Sequence, residues 1–278
     1  MAINLAVKFM PFVDEKFSQD SKKSLVTNND FDWSGANTVK VYKITTAEMT
    51  DYDRNGLGEN ASRYGTVSGL DAVTEELRIS NDRSFTFAID KLDSDETVSQ
   101  LQAASALERQ IREVVIPEID NYVYNVMAEN AGNKPTAAVL TPENIYGEIL
   151  KASQALDNAN APETDRVLIV SPSTYALMKK SPEIIIDSEI GADMRAKGVI
   201  GMLDGASVVK VPSNRLPDKF GFMLTHPSAT VAPTKLEDYK IHEDPPGISG
   251  SLVEGRVSYD AFVLDNKAQA IYYQEISE

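Results

Sequence analysis

The chain has 278 residues, 42% hydrophobic, 25% charged and 8% aromatic, proportions that exclude a disordered or fibrous protein. Its 27 Lys and Arg against 42 Asp and Glu give a formal charge of −15, which excludes a broad basic face for nucleic acid or an anionic membrane. There is no cysteine, so disulfides, thiolate metal sites and thiol nucleophiles are excluded too.

The first 20 residues mix Lys8, Asp14, Glu15 and Lys16 into their apolar positions, without the unbroken apolar core of a secretory signal. No stretch approaches the ~20 apolar residues of a membrane span. The expected setting is intracellular and soluble. Residues 1–37 show no regular period, only scattered aromatics: Phe9, Phe12, Phe17, Phe31 and Trp33. They read either as an arm that lies on another surface or as a strap across the protein's own core.

From Thr38 to Thr46 the run TVKVYKITT alternates and is β-branched. A second alternating run passes through Leu77, Ile79, Phe85, Phe87 and Ile89, and a glycine-rich polar stretch, 55–69, lies between them. The expectation is one two-stranded hairpin over 38–91, each arm reaching ~50–60 Å. An isolated ribbon of this kind is marginal in water, so another surface must support it.

Asp93 and Glu96 have the spacing of a capping box. Apolar residues then recur at Leu101, Ala104, Leu107, Ile111, Val115, Ile119, Tyr122 and Val126, which predicts a helix over 96–130, ~50 Å long. Pro117 is expected to bend it. Beyond Pro135 helices and strands alternate: a helix from Thr141-Pro142 to Asn158, a buried strand at 166–170, and a helix opened by Ser171-Pro172. Further strands are expected at 206–211, 220–224, 229–232, 258–264 and 268–274. The class is α+β, with no regular βαβ repeat.

Catalytic chemistry finds little purchase. The two histidines, His226 and His242, fall in loops without an orienting carboxylate or further ligands at helical spacing. Asp51, Asp53 and Asn55-Gly56 match the first half of a calcium loop, but the twelfth position is Ser62 where a bidentate Glu is required. No Gly-Lys-Ser/Thr follows any glycine run, so a phosphate cradle is absent. The expectation is a non-enzyme without cofactor or metal.

Arm, hairpin, long helix, mixed region and returning strands, in that order, resemble the major capsid protein of tailed bacteriophages, the Hong Kong 97-type fold. The segments RVLIVSPSTYALMKK (166–180), GVIGMLDGASVVKVPSNRLP (198–217) and GISGSLVEGRVSYDAFVLDNKAQAIYY (247–273) carry the likeness locally. The resemblance implies an N-terminal arm at 1–37, an extended loop at 38–92 and a spine helix with peripheral domain at 93–141. It places an axial domain at 142–253 and strands returning to the peripheral domain at 254–278. It implies a structural protein whose hexamers and pentamers close into an icosahedral shell around double-stranded phage DNA, held without specific contacts. The partners expected are further copies, a separate scaffolding protein, a portal protein and a decoration protein. The virion is the expected location, with assembly in the host bacterial cytoplasm. An encapsulin-like nanocompartment holding an enzyme cargo is the alternative with the same fold. Candidate intersubunit contacts are Arg54, Arg63, Arg78 and Arg83, through salt bridges, and Phe9, Phe12 and Trp33 of the arm. Some family members join subunits by an isopeptide bond from a hairpin lysine. Here no lysine lies between Lys43 and Lys91, so none is expected although Asn266 is available.

Overall fold

Period-two alternation in the first third of the chain produces three strands where the sequence predicts two. The computed structural model describes residues 21–28, 38–44, 49–55, 63–64, 72–92, 103–184 and 199–277. The chain divides into a unit of residues 33–79 and a body formed by the rest. In the smaller unit β1 (Thr38–Ile44) pairs antiparallel with β2 (Ala72–Arg78), Thr38 opposite Arg78 and Ile44 opposite Ala72. Seven paired residues span ~23 Å, half the expected reach. The run through Phe85, Phe87 and Ile89, expected as the partner of β1, is instead β3 (Asn81–Asp90) and lies in the body. Leu77 and Ile79 share the parity of Phe85, Phe87 and Ile89, but the polar run Ser80–Ser84 interrupts the apolar alternation, and the join falls at its start. The Asp260 carboxylate marks it, accepting from Ser80 N at 2.8 Å and Ser80 Oγ at 2.9 Å.

The long helix is continuous over its described part. It comprises α1 (Ala103–Gln110), a π turn at Ile111–Val115, and α2 (Ile116–Glu129). The disturbance expected from Pro117 takes the form of that π turn. Proline has no N–H to donate, and the widened turn before it lets Ile116 N donate to Ile111 O. The predicted capping pair Asp93 and Glu96 lies outside the described residues. Next come α3 (Ile145–Asn158), β4 (Val167–Val170) and α4 (Pro172–Lys180). Ser171 caps α4, its Oγ accepting from Thr174 N at 3.1 Å, and Pro172 fills the first helical position, where its missing donor costs nothing.

The region expected as one strand at 206–211 is a hairpin of β5 (Val199–Leu203) and β6 (Ala206–Lys210). Its two-residue turn, Asp204-Gly205, has φ of 47° and 78°, the left-handed pair that matches strand twist and that glycine adopts without strain. The chain closes with β7 (Phe220–Thr225), β8 (Thr230–Val231), β9 (Thr234–Glu243), β10 (Gly250–Tyr259), β11 (Phe262–Val263) and β12 (Ile271–Glu275).

Two sheets organise the body. One has the order β12-β7-β4-β6-β5, with β4 and β6 parallel and the other neighbours antiparallel. Alternate residues of β4 serve two cores. Val167 and Ile169 pack with Ile119, Val123, Tyr124 and Met127 of α2, while Leu168 and Val170 pack with Ile145, Ile149, Ala152 and Leu156 of α3 and Met178 of α4. A sheet covered on both faces needs continuous apolar strands, which is why 167–170 and 220–225 lack alternation. The other sheet is antiparallel, β3-β10-β9, and β8 pairs with β11 apart from both. Of the strands in 254–278, β10 joins β3 and β12 joins β7. Likewise β9, expected among the elements of 142–253, pairs with β10.

Candidate functional site

In the hairpin unit, Lys40 Nζ meets Glu76 Oε1 at 2.6 Å across β1 and β2. Beyond the paired strands, Thr50 Oγ1 donates to Tyr64 O and Asp53 N to Arg63 O, each at 3.0 Å, so the two sides of the tip stay joined. Tyr52 and Tyr64 pack edge to face with centroids 5.1 Å apart. Large apolar side chains are nonetheless left in water, with Met49 fully exposed and Tyr64 79% exposed. Arg54, Arg63 and Arg78 are exposed here, as a contact role demands. Phe9, Phe12 and Trp33 lie outside the described residues. The calcium reading finds no support: Asp53 Oδ1 accepts from Asn55 N at 2.8 Å, and among the described residues no three acidic or histidine side chains converge.

The sheet β3-β10-β9 has one wet face, and its charges alternate in sign across the strands. Asp82 takes Arg256 through both its oxygens, at 2.9 and 2.5 Å. Asp238 lies opposite Arg256 in the register and meets Lys240 at 2.8 Å. Glu254 lies opposite Lys240 and meets His242 at 3.3 Å. A shallow groove lined by Ser84, Thr86, Asp238, Lys240, Glu254 and Arg256 runs along this face. The Arg256 guanidinium holds the Asp82 carboxyl below its usual value, and Asp238 raises Lys240. Exposed pairs of this kind add little stability singly, and the ladder satisfies itself. The opposite face is aromatic. Phe85 stacks on Phe87 and leans on Tyr239, both with centroids 6.2 Å apart, and these rings cover Gly255. A Cβ on Gly255 would fall 2.3 Å from the Phe85 ring, so only glycine fits between the rings of its two cross-strand partners.

Two buried carboxylates tie the body together, and sequence reading missed both. Asp120 of α2 pairs with Arg215 at 2.9 Å, the side chains 2% and 4% exposed. Its other oxygen accepts from Ser21 Oγ at 2.5 Å. Residues 21–28 are held further by Lys22 Nζ on Lys210 O at 2.9 Å, Asn28 N on Thr230 O at 2.7 Å and the buried Val26. Burial first, then Lys210 and Arg215, lower the pKa of Lys22. Asp260, 4% exposed, accepts from Tyr122 OH and Ala261 N at 2.8 Å besides Ser80. The signal was present in each case, since an acid sat inside an apolar helical stripe or an apolar run, Tyr259-Asp260-Ala261. Arg83, predicted to meet a neighbour, pairs within its own chain with Glu118 at 2.8 Å.

The histidines stay out of any catalytic arrangement. His226 Nδ1 accepts from Ser228 N at 3.2 Å as the cap of a short helical turn, and burial lowers its pKa. His242 is the last rung of the surface ladder. No helix among the described residues is long and apolar enough to cross a membrane.

This arrangement of hairpin unit, long helix and two sheets is the fold of tailed-phage shell proteins, the Hong Kong 97-type fold. A solved structure from Mycobacterium phage Che8 is similar at TM-score 0.74 and 19% identity, covering 98% of each chain. The capsid structure of cyanophage P-SCSP1u is similar at TM-score 0.72 and 15% identity, over 98% of this chain and 93% of that one. The asymmetric unit of the mature capsid of bacteriophage PhiM1 is similar at 0.69 and 10%, over 98% and 92%. At these identities the likeness establishes the fold. No curated protein matches the sequence. A family model described as phage capsid protein matches residues 72–273, and the chain belongs to that family. It is a structural major capsid protein and not an enzyme; copies of it associate into the shell of the virion. The nanocompartment alternative gains nothing from these findings.

Proposed function

We propose that hexamers and pentamers of this chain close into an icosahedral shell around double-stranded phage DNA, with the hairpin unit reaching onto a neighbouring copy. The observation that carries the reading is the tip. Among its described residues the two-stranded unit buries Leu77 but leaves Met49, Tyr52 and Tyr64 in water, and association with further copies supplies the missing cover. In this reading residues 33–79 are the extended loop and 1–32 the arm. The long helix with β3-β10-β9 forms the peripheral domain, and the five-stranded sheet with α3 and α4 forms the axial domain. Arg54, Arg63 and Arg78 of the loop, Arg83 beside its partner Glu118, and Phe9, Phe12 and Trp33 of the arm meet adjacent copies. The net charge of −15 suits a container that holds DNA without gripping it.

Assembly takes place in the host bacterial cytoplasm with a separate scaffolding protein, a portal at one vertex, and a decoration protein outside. Electron cryomicroscopy of purified particles tests this directly. Hexamers and pentamers joined by the 33–79 unit, around DNA, are expected; particles in which that unit folds back on its own body sink the reading. With no lysine between Lys43 and Lys91, boiled shells should run as monomer on a denaturing gel, and a ladder would contradict it.

A further inference from the structure

One corner of this acidic chain is basic. Lys179 Nζ lies 5.7 Å and Lys210 Nζ 5.5 Å from the centroid of the Tyr175 ring, and Lys22 Nζ donates to Lys210 O. Arg215 stands close enough to Lys22 to depress its pKa, as Lys210 does. The carboxylate set against this group is Asp120, already taken by Arg215 and Ser21. Among the described residues no carboxylate lies within ion-pair distance of Lys22, Lys179 or Lys210. The aromatic ring holds two ammonium groups together while leaving their outward protons unpaired.

Topology places the opposite charge at the other end of the same sheet. Lys210 ends β6, and α4, which carries Tyr175 and Lys179, begins directly after β4, the strand parallel to β6. At the starting ends of β4 and β6 lie Glu163 and Asp165, before β4, and Asp204, before β6, all three exposed. Along β4 and β6 the sheet thus carries Lys179 and Lys210 where these strands finish, with Asp218 and Glu275 further across the same end at β7 and β12. Where they begin it carries Glu163, Asp165 and Asp204, with the buried Arg166 held there by Asp157.

We propose that the lysine cluster at Tyr175 receives the Glu163–Asp165 and Asp204 carboxylates of a second copy of this chain. The contact is head to tail, the heterologous kind that closes into a ring by rotation. It rests on the association of copies into a shell and adds the pair of surfaces used. Charge complementarity selects the occupant, because a strongly acidic copy offers carboxylates and the patch is a local exception to its sign.

A charge exchange tests it. One variant carries Lys179→Glu with Lys210→Glu. A second carries Glu163→Lys with Asp165→Asn, asparagine being chosen because Asp165 has φ 58° and tolerates little else. Each alone should lower the yield of shells at 0.1 M salt about tenfold, the effect of ~1.4 kcal/mol per contact. A chain carrying all four changes together with Asp204→Asn should recover most of it, since the two glutamates then face a lysine and none of the three acceptor carboxylates. A folding defect in either half would persist in the combined chain. Unchanged yield in the lysine variant, or no recovery in the combined one, overturns the pairing. Shells at full yield that have lost retained DNA assign the patch to phosphates and overturn it equally. The unaltered chain run alongside reports on shell formation itself, so a failure there is distinguished from a failure of the patch.

Discussion

The two sheets of the body spend the same kind of residues differently. In β12-β7-β4-β6-β5 every residue of β4 and β7 is buried, helices cover both faces, and the core is complete within one chain. In β3-β10-β9 one face packs aromatic rings and the other lies open under a ladder of five charges and His242, with Ile241 at the margin 40% exposed. Stability therefore resides in the first sheet, while the second is built to present a surface. The hairpin unit extends that contrast, its described tip residues Met49, Tyr52 and Tyr64 lying in water.

The contrast is most easily broken at the buried sheet. Phe222→Ala, at a fully buried position, should cost about 3–5 kcal/mol in the denaturant midpoint. Ile241→Ala in the open sheet should cost less than about 1 kcal/mol. Equal losses would end the distinction. Asp120→Ala strands the buried Arg215 guanidinium and should cost about 3–5 kcal/mol, with much of that returned by adding Arg215→Met, since removing both charges leaves none unpaired. Gly255→Ala pushes a methyl group into Phe85 and Tyr239 and should cost about 1–3 kcal/mol while leaving the five-stranded sheet protected in hydrogen exchange.

Alkaline titration gives a smaller effect of defined sign. Burial, reinforced by Glu118, pushes Tyr259 up to about 12, and burial does the same for Tyr273, reinforced by Glu275 and Asp218. The folded state then holds protons that the unfolded chain has released. Their contribution is full below pH 10 and is lost as the pH rises from 10 to about 12. Melting temperatures across that window should fall, less steeply in Tyr259→Phe. Least of all, Arg256→Ala removes an exposed rung and should leave the melting temperature unchanged, because water screens the pair it breaks.

How much of this could be read beforehand depended on how local the cause was. Helix α3 was legible because Ile145, Ile149, Ala152 and Leu156 repeat at helical spacing, and all four are buried. Ser171-Pro172 announced α4 through capping chemistry confined to four residues. Strand partners were not legible. Residues 77 and 79 share the parity of 85, 87 and 89, and the contact that fixes Ser80 between the two strands comes from Asp260, 180 residues away. The charged strand β9 was missed because Lys235, Glu237, Asp238 and Lys240 read as loop, although cross-strand pairing makes those charges favourable in a sheet. Of the contact candidates, Arg54, Arg63, Arg78 and Arg83 are all exposed, and the ion pair of Arg83 with Glu118 was not legible because only the packing of β3 near α2 brings the two within reach.

Strand β12 completes the five-stranded sheet. Ile271 and Tyr273 close the core beneath α2, yet they are synthesised after every other strand. Until β12 pairs with β7 the edge of β7 stays open, so the five-stranded sheet is expected to be among the later parts of the body to complete its pairing.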